Sequence, residues 1–465
     1  MTPLGYLLLP VGFACLLLSK KWLYRIFVFT TLFSATSIIN FGEEENASAL
    51  QVWMFFGCVW ILRLILERVS TVSFALDRRI LRPSLWLIAF LFVALMSLIM
   101  PLYINGALAI TSPILGDGSR TPLYLSVHNI TQYLYLAFGV TIAVCVAHSN
   151  LLDRQRHETE KILLLSAIFI SAWGLFQLLC NVTGLPYPDA IFNNSSSAAA
   201  KGFLQTLDNG VSRITSAAVE PSVLAQSLIA VLPLTLPAWL KRGHLVSRFV
   251  DRSASVLFVV VLILCTSSTA YLGLLILAVS SLAAMLRTRH VSITKAVKIT
   301  VSAVCLASVL VGAAISSLPI ARDVVTSLLL DKSSSSSALE RLMTIGLAYG
   351  YFQKFPVLGI GWGSATSHDL IVKLLSNVGI LGTFAFLGAM LCVIRSDWRG
   401  LEPLVDSLSI SRFVWFQSFI VFLFTSVLIG FPLAFGNFWL ILGMAIATGW
   451  KTDRAQAPVL SSELV

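Results

Sequence analysis

Ser84-Leu-Trp-Leu-Ile-Ala-Phe-Leu-Phe-Val-Ala-Leu-Met-Ser-Leu-Ile-Met-Pro-Leu-Tyr103 carries no charged side chain. Its length is what a helix needs to cross the hydrocarbon core of a bilayer. Twelve more segments share this character fully or nearly, at approximately 4–18, 22–39, 47–66, 129–148, 161–180, 221–240, 253–267, 269–286, 296–318, 368–394, 413–431 and 437–450. The whole chain is 465 residues, 57% hydrophobic and 12% charged, against about 25% charged in an average soluble domain. So little charge cannot cover the surfaces of a soluble chain of this length, and it excludes a disordered chain or a fibrous repeat as well. The expected fold class is an all-α polytopic membrane protein of about 13 (12–14) transmembrane helices, one integral membrane domain over 1–465. No basic stretch precedes the first segment and no small-residue cleavage site follows it, so it reads as a retained helix.

The net charge of +10 sorts by loop. With the Lys20–Lys21 loop in the cytoplasm and strict alternation thereafter, 23 of the 32 basic residues fall inside and seven fall outside. Arg63 and Lys373 lie within helices. Membrane proteins gather Lys and Arg on the cytoplasmic side, so the expected topology is N-terminus out and C-terminus in. The same sorting removes a nucleic-acid partner as the reason for the charge. The seven cysteines sit in or beside apolar segments without CxxC or metal-ligand spacing, and read as small core residues.

Three expected outer loops are long, at about 104–128, 181–220 and 319–367, and loops of such length are uncommon unless functional or disordered. Serine runs at Ser195–Ser197 and Ser333–Ser337 mark portions expected to be mobile. No internal repeat is apparent, whereas many transporters show paired halves.

Polar chemistry concentrates in and beside these loops. Arg213-Ile-Thr-Ser-Ala-Ala-Val-Glu220-Pro221-Ser222 places Pro221 where the first turn of a helix tolerates its missing N–H, with Glu220 at the helix mouth. A helix N-terminus favours anions. Equally, Arg213 and Glu220 could simply tidy a loop end. Arg341, in Ala338-Leu-Glu-Arg-Leu-Met-Thr344, lies on an expected short interfacial helix within the 319–367 loop, stopped before Pro356, where it could merely snorkel. Gly359-Ile-Gly361-Trp-Gly363 supplies tight turns or close approach, and His368 follows in the first turn of the next span. Histidine is the usual proton carrier near neutral pH. Asp369 and Lys373, four apart with the acid first, read as a structural helix pair, as do Arg63 and Glu67. Cys265-Thr-Ser-Ser-Thr-Ala-Tyr271 reads only as a tight polar turn. No DxD or His-rich metal cluster, Walker loop, dinucleotide fingerprint or GxSxG elbow is present.

Taken in order, these pieces resemble the bacterial O-antigen polymerase and O-antigen ligase superfamily. The resemblance runs over roughly 200–385. It comprises Arg-x-Thr followed by Glu220-Pro-Ser, the Thr-x-Ser turn, the Arg341 helix, Phe355-Pro-Val-Leu-Gly359-Ile-Gly361-Trp-Gly363, His368-Asp369 and Asn377-Val-Gly379-Ile-Leu-Gly382. The Glu-Pro-Ser variant is more similar to Wzy-type polymerases than to ligases. Two departures stand out: Asp369 where the family often has Asn, and Thr269 where it often has Arg.

The resemblance implies a GT-C-like, metal-independent, inverting glycosyltransferase without cofactors. It implies undecaprenyl-diphosphate-linked glycans as donor and acceptor at the periplasmic face of the inner membrane, with a chain-length regulator as a candidate partner. It points to Arg213 and Arg341 as the diphosphate clamp, and permanently charged bidentate side chains suit that task. Glu220 and His368 are the catalytic candidates, with Glu220 the expected base and His368 on the phosphate side. Gly359, Gly361, Gly363 and Asp369 would form a supporting loop. An O-antigen ligase or a protein O-oligosaccharyltransferase is the alternative, and a polysaccharide transporter the remoter one.

Overall fold

The computed structural model describes residues 1–41, 48–69, 78–111, 120–196, 213–288, 336–430 and 432–449. The expected tenth span at 296–318, Ser197 and Ser333–Ser335 of the two serine runs, Lys201 and the basic C-terminal tail lie outside the described residues. The first half contains helices α1 (Pro3–Leu18), α2 (Lys20–Thr30), α3 (Val52–Val69), α4 (Arg78–Ser97), α5 (Ile99–Ile104), α6 (Val127–Ser149), α7 (Asp153–Thr183) and α8 (Asp189–Phe192). The second contains α9 (Pro221–Val231), α10 (Leu236–Trp239), α11 (Arg248–Leu264), α12 (Ser268–Arg287), α13 (Ser336–Lys354), α14 (Leu370–Gly400), α15 (Ser407–Ile429) and α16 (Gly436–Thr448). The chain is mostly helical, with two short antiparallel ribbons, β1 (Ser37–Phe41) with β2 (Ser48–Gln51) and β3 (Ala109–Thr111) with β4 (Arg120–Pro122).

Among the described residues seven helices are long and apolar enough to cross a membrane: Ile80–Ile104, Val127–Ser149, Asp153–Thr183, Pro221–Trp239, Ser268–Arg287, Leu370–Gly400 and Ser407–Val427. Pro3–Leu17 and Gly436–Thr448 are shorter apolar helices. The molecule is therefore a multi-pass membrane protein. Lipid is its solvent on one side, which accounts for exposed Leu81, Phe92, Leu275, Phe384 and Leu391.

The thirteen expected spans are not all matched: the expected span 47–66 begins as strand β2 before α3, and the span at 22–39 differs most. Residues 22–39 do not form a single helix: α2 stops at Thr30, and the chain turns into β1. The cause is a run of hydroxyls. Thr30 and Thr31 fold back onto the carbonyls of Ile26, Phe27 and Val28. Thr36 donates to Phe192 O at 2.6 Å, and Ser37 N donates to Asn194 Oδ1 at 2.8 Å. The Thr30 and Thr31 bonds stay within the last turn of α2, whereas Thr36 and Ser37 find partners across the fold that a continuous helix would deny them. The expected short interfacial helix is also longer than read, running 19 residues as α13 and packing along α14.

The two ends of the bundle differ in character. At one end Lys20 and Arg63 both bind Glu67, at 2.5 and 3.0 Å, and Arg25 binds Glu158. Buried Arg412 donates to Thr448 O at 2.7 Å and Gly400 O at 2.6 Å, while Trp415 donates to Glu160 at 2.9 Å. These contacts tie α2, α3, α7, α14, α15 and α16 together where the basic loops begin. The opposite ends of α7 and α14 carry the Arg213–Glu220 segment and His368.

Helix α14 is interrupted at Gly379, whose φ of 64° and ψ of −164° leave the helical region. The break removes two helical hydrogen bonds, and the Pro356–Gly361 loop replaces both. Ile380 N donates to Pro356 O at 2.8 Å and Leu381 N to Val357 O at 3.4 Å, while Ile360 N and Gly361 N donate to Ser376 O and Asn377 O at 2.8 and 3.1 Å. The loop approaches so closely that a Cβ at Gly379 would lie 2.1 Å from Val357 O, and one at Gly359 2.5 Å from Ser376 O. The glycines of the Pro-x-x-Gly-x-Gly and Asn-x-Gly stretches thus face each other.

Gly379→Ala should lower the thermal midpoint of the detergent-solubilised protein, since left-handed backbone alone costs a non-glycine residue about 1–3 kcal/mol before any clash. Gly350→Ala on α13, where a Cβ meets nothing within 4 Å, should leave the midpoint unchanged or raise it. Equal midpoints for both variants would contradict the interlocked break.

Candidate functional site

The Arg213–Glu220 segment is pinned by backbone contacts. Gln177 of α7 accepts the N–H groups of Thr215 and Ser216 at 2.9 and 2.8 Å. Ser216 takes a left-handed φ of 54° and its hydroxyl donates to Ile170 O at 2.6 Å. Ala217 O accepts from Ala35 N, and Val219 N donates to Ser34 Oγ. Glu220 then stands at the N-cap of α9 in extended conformation, as a residue before proline prefers, with Pro221 in the first turn as expected. Its carboxylate accepts the Ser222 hydroxyl at 2.9 Å.

Arg213 docks on the turn between α11 and α12. Its Nε donates to Thr266 Oγ1 at 3.3 Å and its Nη2 to Thr266 O at 3.0 Å. Thr266 has a φ of 48°, a genuine outlier for a β-branched residue. The polar turn that looked like a turn and nothing more is the platform for Arg213. Burial disfavours the guanidinium charge, nearby Arg341 adds to that, and Glu220 opposes it. Arg213, Glu220 and Arg341 therefore share one electrostatic neighbourhood, although they come from separate stretches of sequence.

His368 joins the same neighbourhood from the other side. Thr344, one turn beyond Arg341 on α13, lies 2.9 Å from His368 Nδ1. Burial, then the charges of Arg341 and Lys373, push the imidazole pKa down to about 4. Lys373 also lies in electrostatic range of His128 in the first turn of α6. Arg341 is thus in electrostatic range of both Arg213 and His368, with Glu220 in range of Arg213 and Lys373 in range of His368.

The supporting residues act on backbone. Asp369 is the N-cap of α14 and its Oδ1 accepts Val372 N at 2.8 Å. That cap is a role of Asp369 beyond the expected pairing with Lys373. Asn377 grips the loop ahead of His368 twice, accepting from Ala365 N at 3.1 Å and donating to Ala365 O at 3.0 Å. Asn129 of α6 donates to Trp362 O at 2.8 Å and Ser364 Oγ at 3.0 Å. Gly361 turns against Pro101, and Gly363 against Gln132. These glycines let helices and backbone approach the loop, which holds His368 in place.

Glu220 stands at a helix mouth and Arg341 on a helix, as expected, whereas His368 lies ahead of the Asp369 N-cap of α14 and not in that helix's first turn. Thr266, Thr344 and Asn377 stand in the sequence only as parts of the polar turn, the Arg341 segment and the Asn-x-Gly stretch, without their contacts, and His128 carries no signal there. Thr344 was findable: it lies three residues after Arg341, on the same helix face. Thr266 was not, because only the tertiary fold brings residues 213 and 266 together. Among the described residues no group of three His, Cys, Asp or Glu side chains is placed to hold a metal ion. No protein-family model matches the chain, and no curated protein matches it.

The His368 environment has a consequence for stability. The unfolded imidazole titrates near 6.5, and in the folded protein near 4. Between those values the unfolded chain binds more protons, so acid favours unfolding. The thermal midpoint should fall as pH drops from about 6.5 toward 4, and His368→Gln should flatten part of that fall. Superimposable pH profiles for the two proteins would contradict this assignment.

Proposed function

We propose that the protein is a membrane glycosyltransferase that joins undecaprenyl-diphosphate-linked oligosaccharide repeats into O-antigen or exopolysaccharide. The reading places the site-bearing end at the periplasmic face of the bacterial inner membrane, with the N-terminus periplasmic and the C-terminus cytoplasmic. One observation supports it: Arg341 is in electrostatic range of Arg213, which is in range of the Glu220 carboxylate, and of the His368 imidazole, although these residues are distant in sequence.

That set suits glycosyl transfer from a lipid diphosphate. The acceptor sugar hydroxyl attacks the anomeric carbon of the donor from the face opposite the leaving group. The new C–O bond forms as the anomeric carbon–phosphate oxygen bond breaks, with inversion. The bonding pair leaves on undecaprenyl diphosphate, whose growing negative charge Arg213 and Arg341 stabilise. The hydroxyl proton passes to Glu220 or His368. The lipid tail stays in the bilayer, so only the head group need reach the cations. The long loops would recognise the acceptor, and a chain-length regulator would be an accessory partner.

The broken α14 is the feature that would favour a transporter, since interrupted helices often line transport sites. Here the gap is filled by the Pro356–Gly361 backbone, and the charged groups lie at a helix end, which favours the enzyme.

Deleting the gene in its source bacterium tests the reading by glycan gel. Single repeat units on the acceptor with the ladder lost support a polymerase. Full ladders stranded on undecaprenyl diphosphate would indicate the ligase instead, and unchanged pools would overturn both. In the complemented strain, Arg213→Ala and Arg341→Ala should each cut polymer at least about 100-fold with protein still present in the membrane. Lysine should rescue poorly at either position, because a point charge does not replace a fork.

A further inference from the structure

Thr344 is half-buried on α13, and its hydroxyl makes two contacts. It donates to Arg341 O at 2.9 Å, the carbonyl one turn back in the same helix, and it lies 2.9 Å from His368 Nδ1. A hydroxyl carries one proton and two acceptor lone pairs. With that proton directed to Arg341 O, the contact with the ring requires a proton on Nδ1. In a neutral imidazole the other nitrogen is then an acceptor.

We infer that Thr344 is a positioning residue: by accepting the His368 Nδ1–H it fixes the Nδ1–H tautomer, so that Nε2 is the atom that takes the proton of the acceptor hydroxyl. The inference rests on the glycosyltransferase reading for the identity of that hydroxyl, but not for the tautomer. It resolves the choice between the two catalytic candidates: His368 receives the proton, and Glu220, held to Ser222, orients the incoming sugar. The logic is that of a base oriented by a third group. Here a helix carbonyl, through a threonine hydroxyl, does the orienting, so the position of Arg341 and the tautomer of His368 are set by the same helical turn. The neutral ring fits this role. Burial and two flanking cations keep it from carrying a charge of its own, so it contributes a lone pair.

The test has two readouts on the full-length protein. The first is nitrogen NMR of the histidine-labelled protein in lipid bilayers near pH 7.5, with the His368 signals assigned by their loss in His368→Gln. The expected result is a protonated Nδ1 and a bare Nε2. Thr344→Ser should keep that pattern, and Thr344→Val should shift the ring toward the Nε2–H form. The second readout is transfer between lipid-linked repeats. Thr344→Val should lower kcat about 100-fold, the lower end of what a positioned base contributes, with little change in KM, and Thr344→Ser should restore it. A wild-type Nε2–H ring, or a Thr344→Val protein with unchanged tautomer and unchanged kcat, would overturn the inference. A wild-type protein with the Nδ1–H ring but no transfer of any lipid-linked glycan would overturn the glycosyltransferase reading and leave the Thr344 assignment supported.

Discussion

Lipid supplies no hydrogen bonds, so a break in a spanning helix must be repaired by other backbone. At Gly379 the repair is the Pro356–Gly361 loop, which gives the severed halves of α14 two donors and two acceptors. This one exchange fixes much of what surrounds the candidate site. It anchors the loop at 356–361, and Asn377, on the first half-helix, then holds Ala365 at both backbone groups. Gly430, at the end of α15, leaves no room for a side chain beside Ser367 and His368, since a Cβ there would lie 2.1 Å from Ser367 O. His368 is therefore placed by backbone constraints at several levels. That arrangement suits a residue that must present one ring atom in one direction.

Electrostatics adds a second layer. Gathering Arg213, Arg341 and Lys373 at one end of the bundle is unfavourable in the absence of an anion, and burial adds to the cost. Glu220 offsets part of it near Arg213. A bound diphosphate would offset more, and by pairing with Arg341 would weaken the second of the causes, after burial, that lower the basicity of His368. On the proposed reading, donor binding and part of the activation of the base are then one electrostatic event. Burial is the larger cause of the low basicity of His368 and would remain, so pairing the cations with an anion relieves only the lesser part.

The features legible in the sequence were those with local causes. Apolar helices long enough to cross a bilayer, Pro221 in a first turn and glycines at tight turns all follow from neighbours in the chain. The reading failed where partners came from afar. Residues 22–39 are apolar enough to span, yet Thr36 and Ser37 are drawn out of a helix by Phe192 and Asn194. The glycine motif was legible as a turn but not as one half of an interlocked break, because its other half lies at Gly379 on the next helix. Thr266 was legible only as a member of a polar turn, not as a partner of Arg213. Its left-handed backbone and its carbonyl acquire meaning only when Arg213 arrives.

That last contact bears on why an arginine stands at 213. A guanidinium has five N–H donors in a fixed plane. Two of them, on Nε and Nη2, are committed to the hydroxyl and carbonyl of Thr266. They hold the plane in one orientation, while the delocalised charge still reaches the neighbourhood of Glu220 and Arg341. Lysine could satisfy the turn or face an anion, but its single nitrogen could not do both with a set orientation. The strained φ of Thr266 follows from the same demand. Turning its carbonyl toward Arg213 requires a backbone conformation that a β-branched residue resists, and that conformation persists because the guanidinium holds it. Residue 213 thus serves as both a structural brace and a charge. Each role depends on the other, so the turn after α11 belongs to the candidate site although it supplies no charged group of its own.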